Sequence, residues 1–501
     1  MRSILLAGVA LSAVAFAAPS PARADRPETL TQALVEAYNN NATLQSQRAS
    51  LRATDEDVPT ALAGWRPTVE LTGTAGRVSG SETEQTTGFN TTTGLPEVES
   101  VKLPETRNES IGQIQLTQPI YSGGKVIAQT RQAKNSVYAA RAQLLATEQT
   151  VFLNVVNAYV TVITDTQVLA LDQSNQQVLA QQLQATDDQF NVGEITETSV
   201  AQAQASLAQA KEQVEVANGN LQIAKENFRQ LVGDYPADHL APPQPLALPV
   251  DSKNAAAAAA VANNPNVIAA EFTNAANKDA IDAAFAALMP QVSLTASAYR
   301  ENDPSGPNTS ETGGQVLGEL TVPLYQGGSE YAAIRQARAQ AQDSFAAIID
   351  AQRTAYAQAT QAWVGLIATR AAIVSTNAEI KANAIALDGT EREELVGTRT
   401  TLDVLNAQQL LLNSQVQQVQ NISTLVNNSY TVASAIGRLT ATDLALPVQQ
   451  YDDLKYYDAV VHSGFGTGEA ADQKAGILPD GALRQANDPA ITDAPPGAPV
   501  P

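Results

Sequence analysis

Tyr121-Ser122-Gly123-Gly124 and Tyr325-Gln326-Gly327-Gly328 decide how this chain is organised. Each closes a run of alternating apolar and polar residues and opens a long helical pattern. They lie 204 positions apart. The same offset carries Arg131-Gln132-Ala133 onto Arg335-Gln336-Ala337, and Val192-Gly193 onto Val396-Gly397. It also carries Leu231-Val232-Gly233 onto Ala435-Ile436-Gly437. One register kept over such a span is an internal duplication. Upstream, Pro67 corresponds to Pro290 and Asn39-Asn40-Asn41 has a counterpart in Asn263-Asn264-Pro265. The Pro67–Pro290 offset is 223, so the first copy carries 19 additional residues between Pro67 and Tyr121. They fall in the Thr/Glu/Gly-rich stretch from Ser79 to Ser110, which reads as a turn-rich loop.

The first copy, residues 25–240, is therefore expected to hold a helix over 28–64 and strands over about 67–78 and 111–120. A long helix over 123–190 and a return helix over 196–233 follow. The second copy, residues 241–442, repeats this with a helix over 254–288, strands over about 290–300 and 314–324, a long helix over 327–395 and a return helix over 400–437. Residues 463–501 are rich in Gly, Pro, Asp and Ala and are expected to be disordered.

Four segments alternate with the period of a strand. Val69 and Leu71 are separated by Glu70, and Ile114 and Leu116 by Gln115. Val292, Leu294 and Ala296 alternate with Ser293 and Thr295, and Leu320 and Val322 with Glu319 and Thr321. Each run is about 10 residues, enough for a tilted strand to cross a bilayer. A half-buried soluble hairpin has the same pattern. In lipid, however, strand edges must be paired, and four strands cannot close around a lumen. Protomers would then pool strands, giving about 8 in a dimer or 12 in a trimer.

The long helices carry a seven-residue seam. Leu145, Phe152 and Tyr159 step by seven in the first copy, as do Ile349, Tyr356 and Trp363 in the second. This is the spacing of coiled coils. About 65 residues at 1.5 Å each span roughly 100 Å.

Composition narrows the function. The formal charge is −21 and aromatics are 5% of the chain, which argues against nucleic acid. There is no cysteine, hence no disulfide, thiolate metal site or lipid-anchored Cys, and only His239 and His462 could offer imidazole. Arg2, the apolar run Ile4 to Ala18 and Ala22-Arg23-Ala24 read as a signal peptide over residues 1–24. No Ser-His-Asp, metal or carboxylate-pair constellation points to an enzyme. A periplasmic coiled-coil adaptor or structural protein without a pore is the alternative to a channel, but it has no use for four amphipathic strands.

The segments Phe190-Asn191-Val192-Gly193-Glu194-Ile195-Thr196 and Leu395-Val396-Gly397-Thr398-Arg399-Thr400 read as helix-to-helix turns, with Gly as the left-handed cap and Thr opening the next helix. With the duplicated Tyr-x-Gly-Gly, they resemble the TolC family of outer-membrane efflux proteins over about residues 29–440. The resemblance implies a mainly α fold with a small β part: a homotrimer with a shared 12-stranded outer-membrane β-barrel and a 12-helix periplasmic coiled-coil tunnel. It implies a passive exit duct for an efflux pump or a type I secretion system, with no cofactor. Implied partners are a periplasmic adaptor (membrane fusion) protein and an inner-membrane pump or ABC transporter. Residues 443–462 are assigned to an equatorial segment.

The same resemblance assigns roles at the tips. Val192, Gly193, Val396, Gly397, Thr398 and Arg399 would meet the adaptor. Arg399, Thr198 and Asp403 would form the periplasmic gate. Asn406 and Ser199 stand where the family has carboxylates, which implies a weaker cation ring and one missing closing link. Asp403 also has the spacing of a capping box with Thr400, and the alternative for Arg399 is a solvated tip charge. Tyr121, Gly123, Gly124, Tyr325, Gly327 and Gly328 mark strand-to-helix junctions, where the tyrosines suit either a membrane-interface girdle or simple junction packing.

Overall fold

The computed structural model describes residues 26–89, 91–304 and 308–475. The expected signal peptide and the tail beyond 475 lie outside the described residues. In chain order the elements are α1 (Leu30–Asn40), α2 (Ala42–Asp55), α3 (Asp57–Leu62), β1 (Thr68–Phe89), β2 (Pro96–Ser122), α4 (Lys125–Asn191) and α5 (Glu197–Val232). Then come α6 (Lys253–Asn263), α7 (Pro265–Phe285), β3 (Gln291–Asn302), β4 (Ser310–Thr321), α8 (Ser329–Leu395), α9 (Thr401–Ala435), α10 (Lys455–Val460) and α11 (Glu469–Ala475).

Neither upstream helix is continuous, in contrast to the single helices expected over 28–64 and 254–288. The first break falls at an asparagine each time, and the first copy has a second at Glu56, between α2 and α3. Asn41 is extended, and its side-chain oxygen accepts from Thr43 and Leu44 N–H, capping α2. Its amide donates to Leu231 O at the end of α5. Asn264 does the same: its oxygen accepts from Asn266 N–H and its amide donates to Ala435 O at the end of α9. An asparagine side chain competes for the backbone groups a continuous helix would use. At the break in the second copy Pro265 also removes an N–H. Each asparagine thus pins a half-helix to the end of its return helix.

The four strands form one antiparallel sheet in the order β1-β2-β3-β4. Of the stretch expected to loop from Ser79 to Ser110, residues 79–89 and 96–110 are strand instead. β1 pairs with β2 from Thr68↔Thr117 out to Phe89↔Pro96, while β3 accompanies β2 only as far as Ser110↔Asn302. The 19 extra residues therefore lengthen one hairpin into a two-stranded ribbon that projects beyond the sheet. Val78, Thr83, Thr86, Thr87, Val98 and Val101 supply the β-branched side chains that favour extension.

Register gives the sheet two unlike faces. Val69, Leu116, Ala296 and Val316 form one row, and Leu71, Ile114 and Ala298 the next. The opposite face carries Glu70, Gln115, Ser297 and Gln315, then Thr72, Gln113, Tyr299 and Gly313. Val69, Leu71 and Val316 are 64%, 79% and 68% exposed. β1 and β4 are unpaired edges among the described residues.

The main core sits midway along α4. Phe152, Val155, Val156 and Tyr159 are fully buried there, against Tyr38, Leu44, Leu221, Phe228 and Leu439. The second seam differs one step along: Leu145 and Ile349 are both exposed, but where Phe152 is buried its counterpart Tyr356 is exposed. The segment after α9 straps this core. Arg48 lies 4.4 Å and 5.2 Å from the Tyr38 and Tyr451 rings, and Arg141 lies 5.8 Å and 5.2 Å from Tyr138 and Tyr457. The strap crosses Asp55, whose buried carboxyl has no hydrogen-bond partner and is pushed up to about 7 by desolvation. The disorder expected from 463 is corrected in part: Ser463 O accepts from Arg66 at 2.6 Å, and 469–475 form α11.

Candidate functional site: the paired helical tips

Each long helix turns back through the same backbone device. Gly193 and Gly397 have φ of +83° and +75°. The turns are closed by Glu194 N–H to Gln189 O at 3.0 Å and Thr398 N–H to Glu393 O at 2.9 Å. These are the six-to-one bonds of a glycine-terminated helix. They turn Val192 and Val396, 72% and 73% exposed, outward at the end of the molecule.

The side chains divide the two tips. Thr400 and Asp403 form a reciprocal capping box. Asp403 Oδ2 accepts from Thr400 N–H at 3.0 Å and from its hydroxyl at 2.8 Å, and Thr400 Oγ1 accepts from Asp403 N–H at 3.3 Å. The bonds from Thr400 hold the Asp403 carboxyl below the usual carboxylate range. Arg399 Nε donates to Glu393 Oε2 at 2.9 Å. Among the described residues no hydrogen bond joins Arg399 to Thr198. At the first tip Thr196 makes no side-chain cap bond, Thr198 is exposed and Ser199 is half-buried. Asn406 is exposed one turn beyond Asp403.

Glu393 was not singled out from sequence, and neither were the residues that join the two tips. Gln182 on α4 donates to the Glu394 carboxylate at 3.4–3.5 Å, and Gln408 on α9 donates to Asn175 at 3.2 Å. Between them Leu179, Ala210 and Leu405 make a small apolar contact. The hairpins are therefore linked near their ends by a thin, largely polar seam. At the far end of the long helices, Gly123, Gly124, Gly327 and Gly328 all have positive φ and redirect strand into helix. Tyr121 and Tyr325 beside them are 46% and 79% exposed.

Among the described residues no group of His, Asp or Glu side chains could hold a metal ion. No helix among them is long and apolar enough to cross a membrane. Residues 33–234 and 257–438 match the model of a family described as outer membrane efflux protein. This chain belongs to that family. It is 34% identical over 443 residues to the outer membrane efflux protein BepC of Brucella suis, covering 88% of this chain and 92% of that one. It is 26% identical over 475 residues to the outer membrane protein TolC of Escherichia coli, covering 89% and 88%. Among solved structures, the outer membrane channel CmeC of Campylobacter jejuni shares the fold, with a TM-score of 0.70 at 18% identity, over 81% of this chain and 85% of that one. VceC of Vibrio cholerae superimposes with a TM-score of 0.68 at 20% identity, over 81% and 96%.

The protein is thus an outer-membrane efflux channel, mainly α with a small β part, that extends into the periplasm. It is a conduit rather than a catalyst. The exposed apolar face of the sheet and the polar face behind it are the surfaces such a location requires.

Proposed function

We propose that three copies assemble into one exit duct. Their 12 strands close a barrel, and their long helices, with the broken helices stacked beside the return helices, wall a tunnel. One observation carries this reading: a single apolar sheet face stands exposed between two unpaired strand edges. The apolar face suits hydrocarbon but the two edges do not, and both edges are satisfied at once if β1 of one protomer pairs with β4 of the next. The exposed second seam at Ile349 and Tyr356 then lies against a neighbouring helix.

At the periplasmic end, Val192, Gly193, Val396, Gly397, Thr398 and Arg399 present paired apolar turns to the helical hairpin of an adaptor, which is held by an inner-membrane pump or ABC transporter. At rest the tips converge. Arg399 exchanges its bond to Glu393 for Thr198 of the next protomer, and Asp403 faces the narrowed lumen. Ser199 and Asn406 contribute no charge there, so the constriction is held less tightly than a ring of carboxylates and arginines would hold it. Energy for transport comes from the inner-membrane partner.

The test is direct. The full-length protein should fractionate with the outer membrane, cross-link as a trimer in detergent and conduct ions across a planar bilayer. A monodisperse monomer, stable in water without detergent and silent in the bilayer, would refute the reading.

A further inference from the structure

Gly313 is the one strand glycine of the four-stranded sheet whose missing side chain is replaced by another side chain. A Cβ placed there would stand 2.5 Å from Tyr299 Oη, 2.6 Å from Cζ and 2.8 Å from Cε1. At Gly73, Gly112 and Gly318 it would meet nothing within 4 Å. Tyr299 and Gly313 are direct partners across β3 and β4. They belong to the face that carries Glu70, Gln113, Gln115 and Gln315. The ring is thus folded flat across Gly313, and its hydroxyl donates to Glu311 Oε1 at 2.9 Å, two residues earlier in β4. A side chain on a strand otherwise stands roughly perpendicular to the sheet.

We infer that Tyr299 is a bore-setting residue of the outer half of the barrel: Gly313 and Glu311 hold its ring against the wall, and release of the ring would narrow the passage for large cargo. The inference rests on the channel reading, which makes the polar face of the sheet the lumen. Tyr299 lies toward the outer end of β3, since Gln291 follows the helical side of the molecule and Asn302 leads away from it. In a trimer three such rings stand at one level. Anything approaching from the periplasmic side passes them last, after the tips have opened. The parked position also explains why Gly313 is half-covered while its neighbours on the same face of β4, Glu311 and Gln315, are exposed. A purely structural role, in which an aromatic ring covers a strand glycine to strengthen the sheet, has the same geometry but a different consequence on substitution.

The experiment uses the absence of cysteine from the natural chain. Ser293→Cys places a single thiol on the same face, six residues and about 20 Å deeper. The thiol is labelled from outside in intact cells with a small maleimide and with maleimides on polymers of increasing size. This readout does not depend on the periplasmic gate. In the Ser293→Cys background, Gly313→Ala should leave the small-reagent rate unchanged and slow or abolish labelling by the larger reagents. Adding Tyr299→Ala should restore it. Equal size limits with and without Gly313→Ala, in a variant whose trimer and thermal stability match the parent, would overturn the inference. So would failure of Tyr299→Ala to restore labelling. If Gly313→Ala does not assemble, Glu311→Ala releases the hydroxyl instead, and an unchanged size limit in the assembled Glu311→Ala trimer overturns the inference equally. A Ser293→Cys parent that no reagent reaches from outside would instead refute the channel reading itself.

Discussion

The two tips share a backbone and differ in how they hold it. Both use a glycine at positive φ and a six-to-one bond to end a 67-residue helix. At the second tip Thr400, Asp403, Arg399 and Glu393 tie the turn to itself. At the equivalent positions of the first tip stand Thr196, Ser199, Ile195 and Gln189, with no cap bond from Thr196. Duplication kept the part of the turn set by backbone geometry and let the side-chain chemistry diverge. The second tip is built as a charged, self-capped unit and the first as a looser partner. The joints at the other end of the return helices diverge in the same manner, by packing rather than by charge.

That divergence can be broken at several points. The largest contrast is expected at the return-helix ends. Gly437 has φ of +76°, and a Cβ there would collide with the Asn263 carbonyl, whereas at Gly233, with φ of +100°, it would meet only Asn40 Cβ at 3.7 Å. Gly437→Ala should cost roughly 2–4 kcal/mol from strain plus overlap. Gly233→Ala should cost about 1 kcal/mol from conformation alone. Thermal unfolding of the detergent-solubilised trimers would read the difference, and equal losses would remove the contrast.

Next come the asparagine pins. Asn264→Ala leaves the Ala435 carbonyl unpaired in a buried place and removes a cap, which should cost about 2 kcal/mol. Asn41→Ala should cost a similar amount, about 2 kcal/mol, yet only there can α1 and α2 fuse, because Pro265 keeps the break at Asn264 open. Hydrogen exchange across residues 40–44 should gain protection in Asn41→Ala, with no matching gain across 263–267 in Asn264→Ala.

A smaller effect is expected at the tips. Asp403→Ala should lower hydrogen-exchange protection in the first turn of α9, and Ser199→Asp should raise it in the first turn of α5 by installing the missing box. Asp403→Asn keeps an acceptor but removes the charge. If it blunts cation block of the channel as much as Asp403→Ala does, the charge gates; if neither changes block, Asp403 is a cap alone. Acid provides a second handle. Asp403 has a lowered pKa, so its contribution is complete above the ordinary value of 3.8 and is lost as pH falls through the lower folded value. Protection should therefore fade below pH 3.8 at the start of α9 and not at the start of α5.

The smallest change should follow Arg399→Ala. Its pair with Glu393 is half-exposed on both sides and should add almost nothing to stability at physiological salt. A conductance increase without a stability change would place Arg399 in the gate. No change in either would leave it a solvated tip charge.

Periodicity and repetition in the sequence were enough to locate the strands, long helices, Val-Gly turns and Tyr-x-Gly-Gly junctions, because they are local properties of a chain. The Asp403 cap was legible for the same reason: its partner is three residues away. The ribbon was misread, because Thr, Gly and Glu suit a turn as well as a strand until a partner strand is alongside. The helix breaks were passed over because an asparagine becomes a pin only when a return-helix carbonyl lies beside it. Glu393, Gln182 and Gln408 carried no signal, since one exposed polar residue on a helix looks like any other.

What the sequence alone determined is the duplicated order of elements and the two-faced character of the strands, both fixed by spacing along the chain. The tertiary structure alone decided which residues of separate elements meet: Asn41 on the Leu231 carbonyl, Gln182 on Glu394, Tyr299 over Gly313. Those contacts depend on where separate elements come to rest, and that position is set by packing summed over the whole molecule rather than by any one stretch of it.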